Sequence, residues 1–106
     1  MRNKRTISLL QYTSQLTERL CRIGRERTAE TYIASVRSFL KFTGDITTDL
    51  CNIDATTITR YNYFLKDKGL SSNTISFYIR NLRAIYNHAV EEGRISDTTP
   101  FRHIRA

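Results

Sequence analysis

The chain contains four glycines, Gly24, Gly44, Gly69 and Gly93, and each follows a stretch in which apolar residues recur every three or four positions. Glycine is favoured just past the end of a helix because the left-handed backbone conformation needed there costs it nothing. Four amphipathic segments with four glycine stops predict an all-α fold. The first segment runs from about Ser8 to Ile23, with Leu9, Tyr12, Leu16, Leu20 and Ile23 spaced to share a face. The second runs from about Thr28 to Thr43 and sets Ala29, Tyr32, Ile33, Val36, Phe39 and Leu40 on one side. The third opens after Asp54, a good N-cap, and extends from Ala55 to Lys68 with Ile58, Tyr61, Phe64 and Leu65 as its stripe. The fourth and longest is capped by Ser71 or Ser72, and its apolar face is Ile75, Tyr78, Ile79, Leu82, Ile85, Tyr86, Ala89 and Val90.

The links after Gly24 and Gly69 are short, whereas the link between the second and third helices, GDITTDLCNIDA, is longer. Two tight turns and one longer crossing predict a compact four-helix bundle of two helical hairpins. The single proline, Pro100, lies beyond the last helix and marks an exit. Residues 1–98 are therefore expected to form one domain, and residues 99–106 to open a linker.

Several function classes drop out at this stage. With 40% hydrophobic and 25% charged residues the chain is globular rather than disordered. No apolar run approaches the roughly 20 residues that span a bilayer. The basic start is followed at once by Gln11, Thr13, Ser14 and Gln15, which is not a secretory signal. A cytoplasmic protein without a membrane partner is expected. Cys21 and Cys51 share no metal-ligand spacing with each other or with His88 and His103, so reduced, partly buried thiols are expected, with no metal and no disulfide. No motif calls for a cofactor or a small-molecule substrate. The net charge of +7, by contrast, favours a polyanionic partner.

The distribution of charge is more informative than its sum. From Lys68 to Val90 there is no acidic residue, while Arg80 and Arg83 are present; from Thr31 to Gly44 the same holds, with Arg37 and Lys41. Acids gather instead at Asp45, Asp49 and Asp54 and at Glu91 and Glu92. A phosphate backbone repels carboxylates, so their absence from the bodies of the second and fourth helices suits a DNA-facing pair. At 3.6 residues per turn, Asn73, Ser76, Arg80, Arg83 and Asn87 lie together opposite the apolar stripe of the fourth helix. Such side chains hydrogen-bond base edges and phosphates. Ser71, Ser72, Asn73 and Thr74 add small polar groups and free backbone amides at the helix start, a seat for a phosphate. On the second helix the corresponding surface is Arg27, Thr31, Ser35, Ser38 and Lys41, with Thr28 near its start.

From Thr28 onward the chain resembles the N-terminal core-binding (SAM-like) domain of tyrosine recombinases, the phage integrase family, and in particular integrases of mobile elements. The resemblance rests on Thr28-Ala-Glu-Thr-Tyr32, Phe39 and Phe42, Ile53-Asp54, Tyr63-Phe64-Leu65-Lys66 and Lys68-Gly69-Leu70-Ser71. It continues through Ser72-Asn73-Thr74-Ile75, Tyr78, Leu82-Arg83, Ile85-Tyr86, Ala89, Glu92-Gly93-Arg94-Ile95 and Pro100-Phe101. The chain departs from the family at Thr99, where asparagine is usual. The resemblance implies half of a C-shaped clamp on double-stranded DNA, with the second and fourth helices in adjacent stretches of major groove. It carries over to Thr28, Thr31, Ser35 and Lys41 in the second helix and to Ser72, Asn73, Ser76, Arg80 and Arg83 in the fourth.

In that family strand cleavage and exchange belong to a C-terminal domain with arginines, a lysine, histidines and a nucleophilic tyrosine. Nothing in this chain matches those motifs, so the fragment is expected to have no catalytic residue and no strand-transfer activity of its own. Its parent is expected to be a site-specific recombinase that self-associates as a tetramer on DNA, whereas without DNA this chain is expected to be monomeric. The alternative reading, a basic helical protein–protein interaction module, requires an apolar patch on an exposed face. The second and fourth helices mostly offer hydroxyls and amides there, Phe42 and Phe77 excepted.

Overall fold

Short-range hydrogen bonds fix where each helix begins and ends. In the computed structural model, which describes residues 7–102, four α-helices follow one another: α1 (Leu9–Arg22), α2 (Glu26–Thr43), α3 (Ala55–Asp67) and α4 (Ser72–Glu91). The basic start through Thr6, and His103 to Ala106, lie outside the described residues. The fold is all-α. Ser8 caps α1 by accepting from the Gln11 amide at 3.0 Å, Asp54 caps α3 by accepting from Thr57 at 2.8 Å, and Ser71 caps α4 by accepting from Thr74 at 3.2 Å. Helix α2 has no side-chain cap and starts two residues earlier than its apolar period suggests. After the turn at Gly24 helical bonding resumes at once, the Ala29 amide donating to the Arg25 carbonyl at 3.1 Å.

Helices α1 and α2 pack as one hairpin and α3 and α4 as another, with α4 lying along α2. The space between them is filled by Leu9, Tyr12 and Leu16 of α1, Val36 and Phe39 of α2, Ile58, Tyr61 and Leu65 of α3, and Ile79, Leu82, Ile85 and Tyr86 of α4. Phe39 meets Tyr61 edge-on with ring centroids 5.1 Å apart, and the Tyr61 hydroxyl is hydrogen-bonded to Ser38 at 2.6 Å. Tyrosine can be buried whole when its hydroxyl finds such a partner. Two residues expected in the core are outside it: Ile23 is 69% exposed and Ile33 37%. Ile23 sits beyond the last turn of α1, and Ile33 lies at the edge of the α2 stripe, past the reach of the neighbouring helices. Cys21 and Cys51 are both exposed, not partly buried as expected.

The long link is ordered by the start of α1. The Leu9 amide donates to the Thr48 carbonyl at 2.8 Å and the Leu50 amide to the Ile7 carbonyl at 3.1 Å. A 3-10 turn, Leu50–Asn52, then drops Leu50 and Ile53 into the core. After α4 the chain folds back. The Tyr86 hydroxyl accepts from the Thr98 amide at 2.9 Å, and Phe101 stands edge-on to Tyr86 at 5.9 Å and is buried. Packing against the bundle thus continues through Phe101. No helix among the described residues is long and apolar enough to cross a membrane.

Candidate nucleic-acid interface

The buried and exposed arcs of α4 are cleanly separated. Ile75, Ile79, Leu82, Ile85 and Ala89 face inward, while Ser72, Asn73, Arg80, Arg83 and Asn87 are exposed and Ser76 is half-buried. The outer row expected from the spacing is thus present on one face. Neither arginine takes part in an ion pair among the described residues: the pairs found there are Arg19–Glu92 at 2.9 Å and Arg22–Glu18 at 3.0 Å. A guanidinium without a carboxylate neighbour keeps its donors available for a phosphate or a guanine edge. The first turn of α4 holds no acid, and its cap leaves Ser72 and Asn73 facing solvent.

Helix α2 matches the expected surface only in part. Lys41 is exposed; Thr28 and Thr31 are half-buried, with the Thr31 hydroxyl donating to the Thr28 carbonyl at 2.8 Å. Ser35 is the correction. It is completely buried, and its hydroxyl finds no hydrogen-bond partner, so it cannot reach a ligand outside the protein. The reason is width: α2 packs on α1, α3 and α4 at once, and its covered arc extends beyond the apolar residues to take in Ser35. Ser38 is likewise tied up, by Tyr61. Nor is α2 carboxylate-free along its whole length: its early start brings in Glu26, and Glu30 precedes the acid-free run that begins at Thr31; both are exposed. One further cation lies near this surface, Lys68. It is exposed at the turn into α4, with its ammonium 5.1 Å from the Phe64 ring.

Tyr12, Tyr32 and Tyr61 are core residues. Burial pushes the Tyr12 phenol up to about 12, helped by the neighbouring Glu92, and burial also raises Tyr61 and Tyr32. A nucleophilic phenol needs the opposite shift. Among the described residues no group of three or more His, Cys, Asp or Glu could hold a metal ion.

Comparison with known proteins places this arrangement. The sequence model of the phage integrase SAM-like domain matches residues 8–104. A protein of Caldanaerobacter subterraneus subsp. tengcongensis named "Putative tyrosine recombinase" is 31% identical over 72 residues, which cover 68% of this chain and 25% of that relative. The chain therefore spans about a quarter of that relative's length. No solved structure gives a significant match. A bundle capped at Ser8, Asp54 and Ser71, with an arginine-bearing outer face on its last helix, thus has its family: this chain belongs to the phage integrase SAM-like domains.

Proposed function

We propose that this domain grips duplex DNA as the DNA-binding module of a tyrosine-type site-specific recombinase. The exposed face of α4 makes the main contact, through Ser72, Asn73, Ser76, Arg80 and Arg83. The edge of α2 bearing Thr28, Thr31 and Lys41 makes the second; Ser35 supports α2 from within and touches no DNA. Cleavage and strand exchange would fall to a separate catalytic domain, and full-length copies would assemble as a tetramer on the DNA. One observation carries this reading: Arg80 and Arg83 are exposed on one helix face with Asn73 and Asn87 and have no ion-pair partner among the described residues.

Binding of a fluorescent duplex, followed by anisotropy as salt is varied, tests it. Contact with roughly three to six phosphates gives a log–log slope of about −3 to −5. Affinity of this domain by itself should be modest and little dependent on sequence, since in this reading it forms half of a clamp. A salt-independent signal, or none at low ionic strength, contradicts the proposal.

A further inference from the structure

We infer that the exposed face of α2 is self-complementary and docks a second copy of this chain, the two helices antiparallel about a two-fold axis that passes between Ile33 and Ala34. Six residues make up this face: Glu26, Glu30, Ile33, Ala34, Arg37 and Lys41 all lie within about a third of the helix circumference, and all are exposed. Their order matters. Acids occupy the first half and bases the second, and every member has a counterpart at equal distance from the Ile33–Ala34 peptide. In an antiparallel pair Glu26 meets Lys41 of the second copy, Glu30 meets Arg37, and Ile33 meets Ala34, each contact occurring twice. A two-fold interface demands this property: a patch that complements itself when reversed.

Three further observations fit. None of the four charged residues has an ion-pair partner among the described residues. The second half of the face floors an open groove of about 860 Å³ whose charged lining residues are Arg37, Lys41 and Lys68, with no acid, so the incoming Glu26 and Glu30 find only cations there. The groove also holds Leu10 and Ile46, which are 39% and 69% exposed, while the opposite end of the hairpin projects Ile23, 69% exposed. Small Ala34 at the axis lets the two backbones approach.

Exposed ion pairs are weak and screened by salt, and a single helix pair covers less than the ~1,200 Å² of stable complexes, so the dimer is weak and salt-sensitive. It is independent of the DNA reading, but it shares Lys41 with the surface assigned to DNA. Where both hold, duplex and second copy exclude one another.

Sedimentation equilibrium of the chain at low salt, up to about 1 mM, tests the inference, with circular dichroism to verify the fold of each variant. The parent should show a monomer–dimer equilibrium with a dissociation constant on the order of 100 µM, in keeping with so small an interface. Glu30→Arg should weaken it at least ~10-fold, and adding Arg37→Glu to that variant should restore it to within about threefold, because the swapped pair still meets across the axis. Ala34→Lys, which sets like charges face to face at the axis, should abolish it by an independent route. A parent that stays monomeric throughout, or a swap that fails to rescue a folded Glu30→Arg, overturns the inference. None of these substitutions touches a residue assigned to DNA.

Discussion

Gly44 and Thr99 both hold left-handed backbone, and the two positions differ in how well the residue suits it. Gly44, at φ 72°, closes α2 by donating its amide to the Leu40 carbonyl at 2.8 Å, and an added Cβ would meet nothing within 4 Å. Gly44→Ala therefore isolates the backbone cost and should destabilise the domain by about 1–2 kcal/mol in urea unfolding. Thr99 sits at φ 49°, where a β-branched residue is strained, and immediately before a proline. Its amide is held by the Asp97 carboxylate at 2.8 Å and its carbonyl accepts from Arg102 at 3.3 Å, so the turn is imposed by its surroundings. Asparagine tolerates this conformation far better. Thr99→Asn should stabilise the domain, by up to about 1 kcal/mol, in the same assay. A loss of stability would show that the threonine side chain contributes more than the strain costs.

At the scale of elements, the two helices of the candidate interface were not equally legible. Helix α4 touches its neighbours along one arc, so its period of 3.6 separates core from surface, with Ser76 alone of the expected outer row half-buried. Asn73, Arg80, Arg83 and Asn87 could be placed from spacing alone. Helix α2 packs on three others, and a polar residue in so wide a covered arc looks exposed in the sequence when it is not. Ser35 is that case, and it carries a prediction. Its buried hydroxyl has no partner, so Ser35→Ala should leave duplex binding unchanged and be neutral to stabilising by roughly 1 kcal/mol in thermal unfolding. A large drop in DNA affinity on a folded Ser35→Ala would return this residue to the interface. The long link and the tail after α4 were illegible for a different reason. Leu50, Ile53 and Phe101 enter the core singly, from chain without a repeating period, and only tertiary contact reveals them. The glycine stops, by contrast, were readable because the cause is local: all four glycines have positive φ.

For the molecule as a whole, the buried tyrosines Tyr12, Tyr32 and Tyr61 and the +7 charge govern how it responds to its medium. An unfolded tyrosine ionises at its ordinary value near 10, whereas Tyr12 is raised to about 12 and Tyr32 and Tyr61 are raised with it, in each case mainly by burial. Keeping these phenols neutral contributes stability that is complete below pH 10 and is withdrawn as pH rises toward 12, because the unfolded chain then releases protons the folded one retains. Denaturant midpoints should therefore fall steeply between pH 10 and 12. Tyr12→Phe, in a chain that still folds, should flatten part of that fall.

The excess positive charge raises the sharper issue, whether DNA is held by a particular face or by the field of a basic protein at large. A pair of matched double variants separates these. Arg80→Ala with Arg83→Ala and Arg60→Ala with Lys66→Ala remove the same two charges, the first from the outer face of α4 and the second from the exposed side of α3. Measured by anisotropy on one duplex at one ionic strength, the α4 variant should bind at least ~10-fold more weakly and lose about 1 to 2 from the salt slope, while the α3 variant changes by less than about threefold. Equal losses from the two faces, or no loss from α4, would contradict the account.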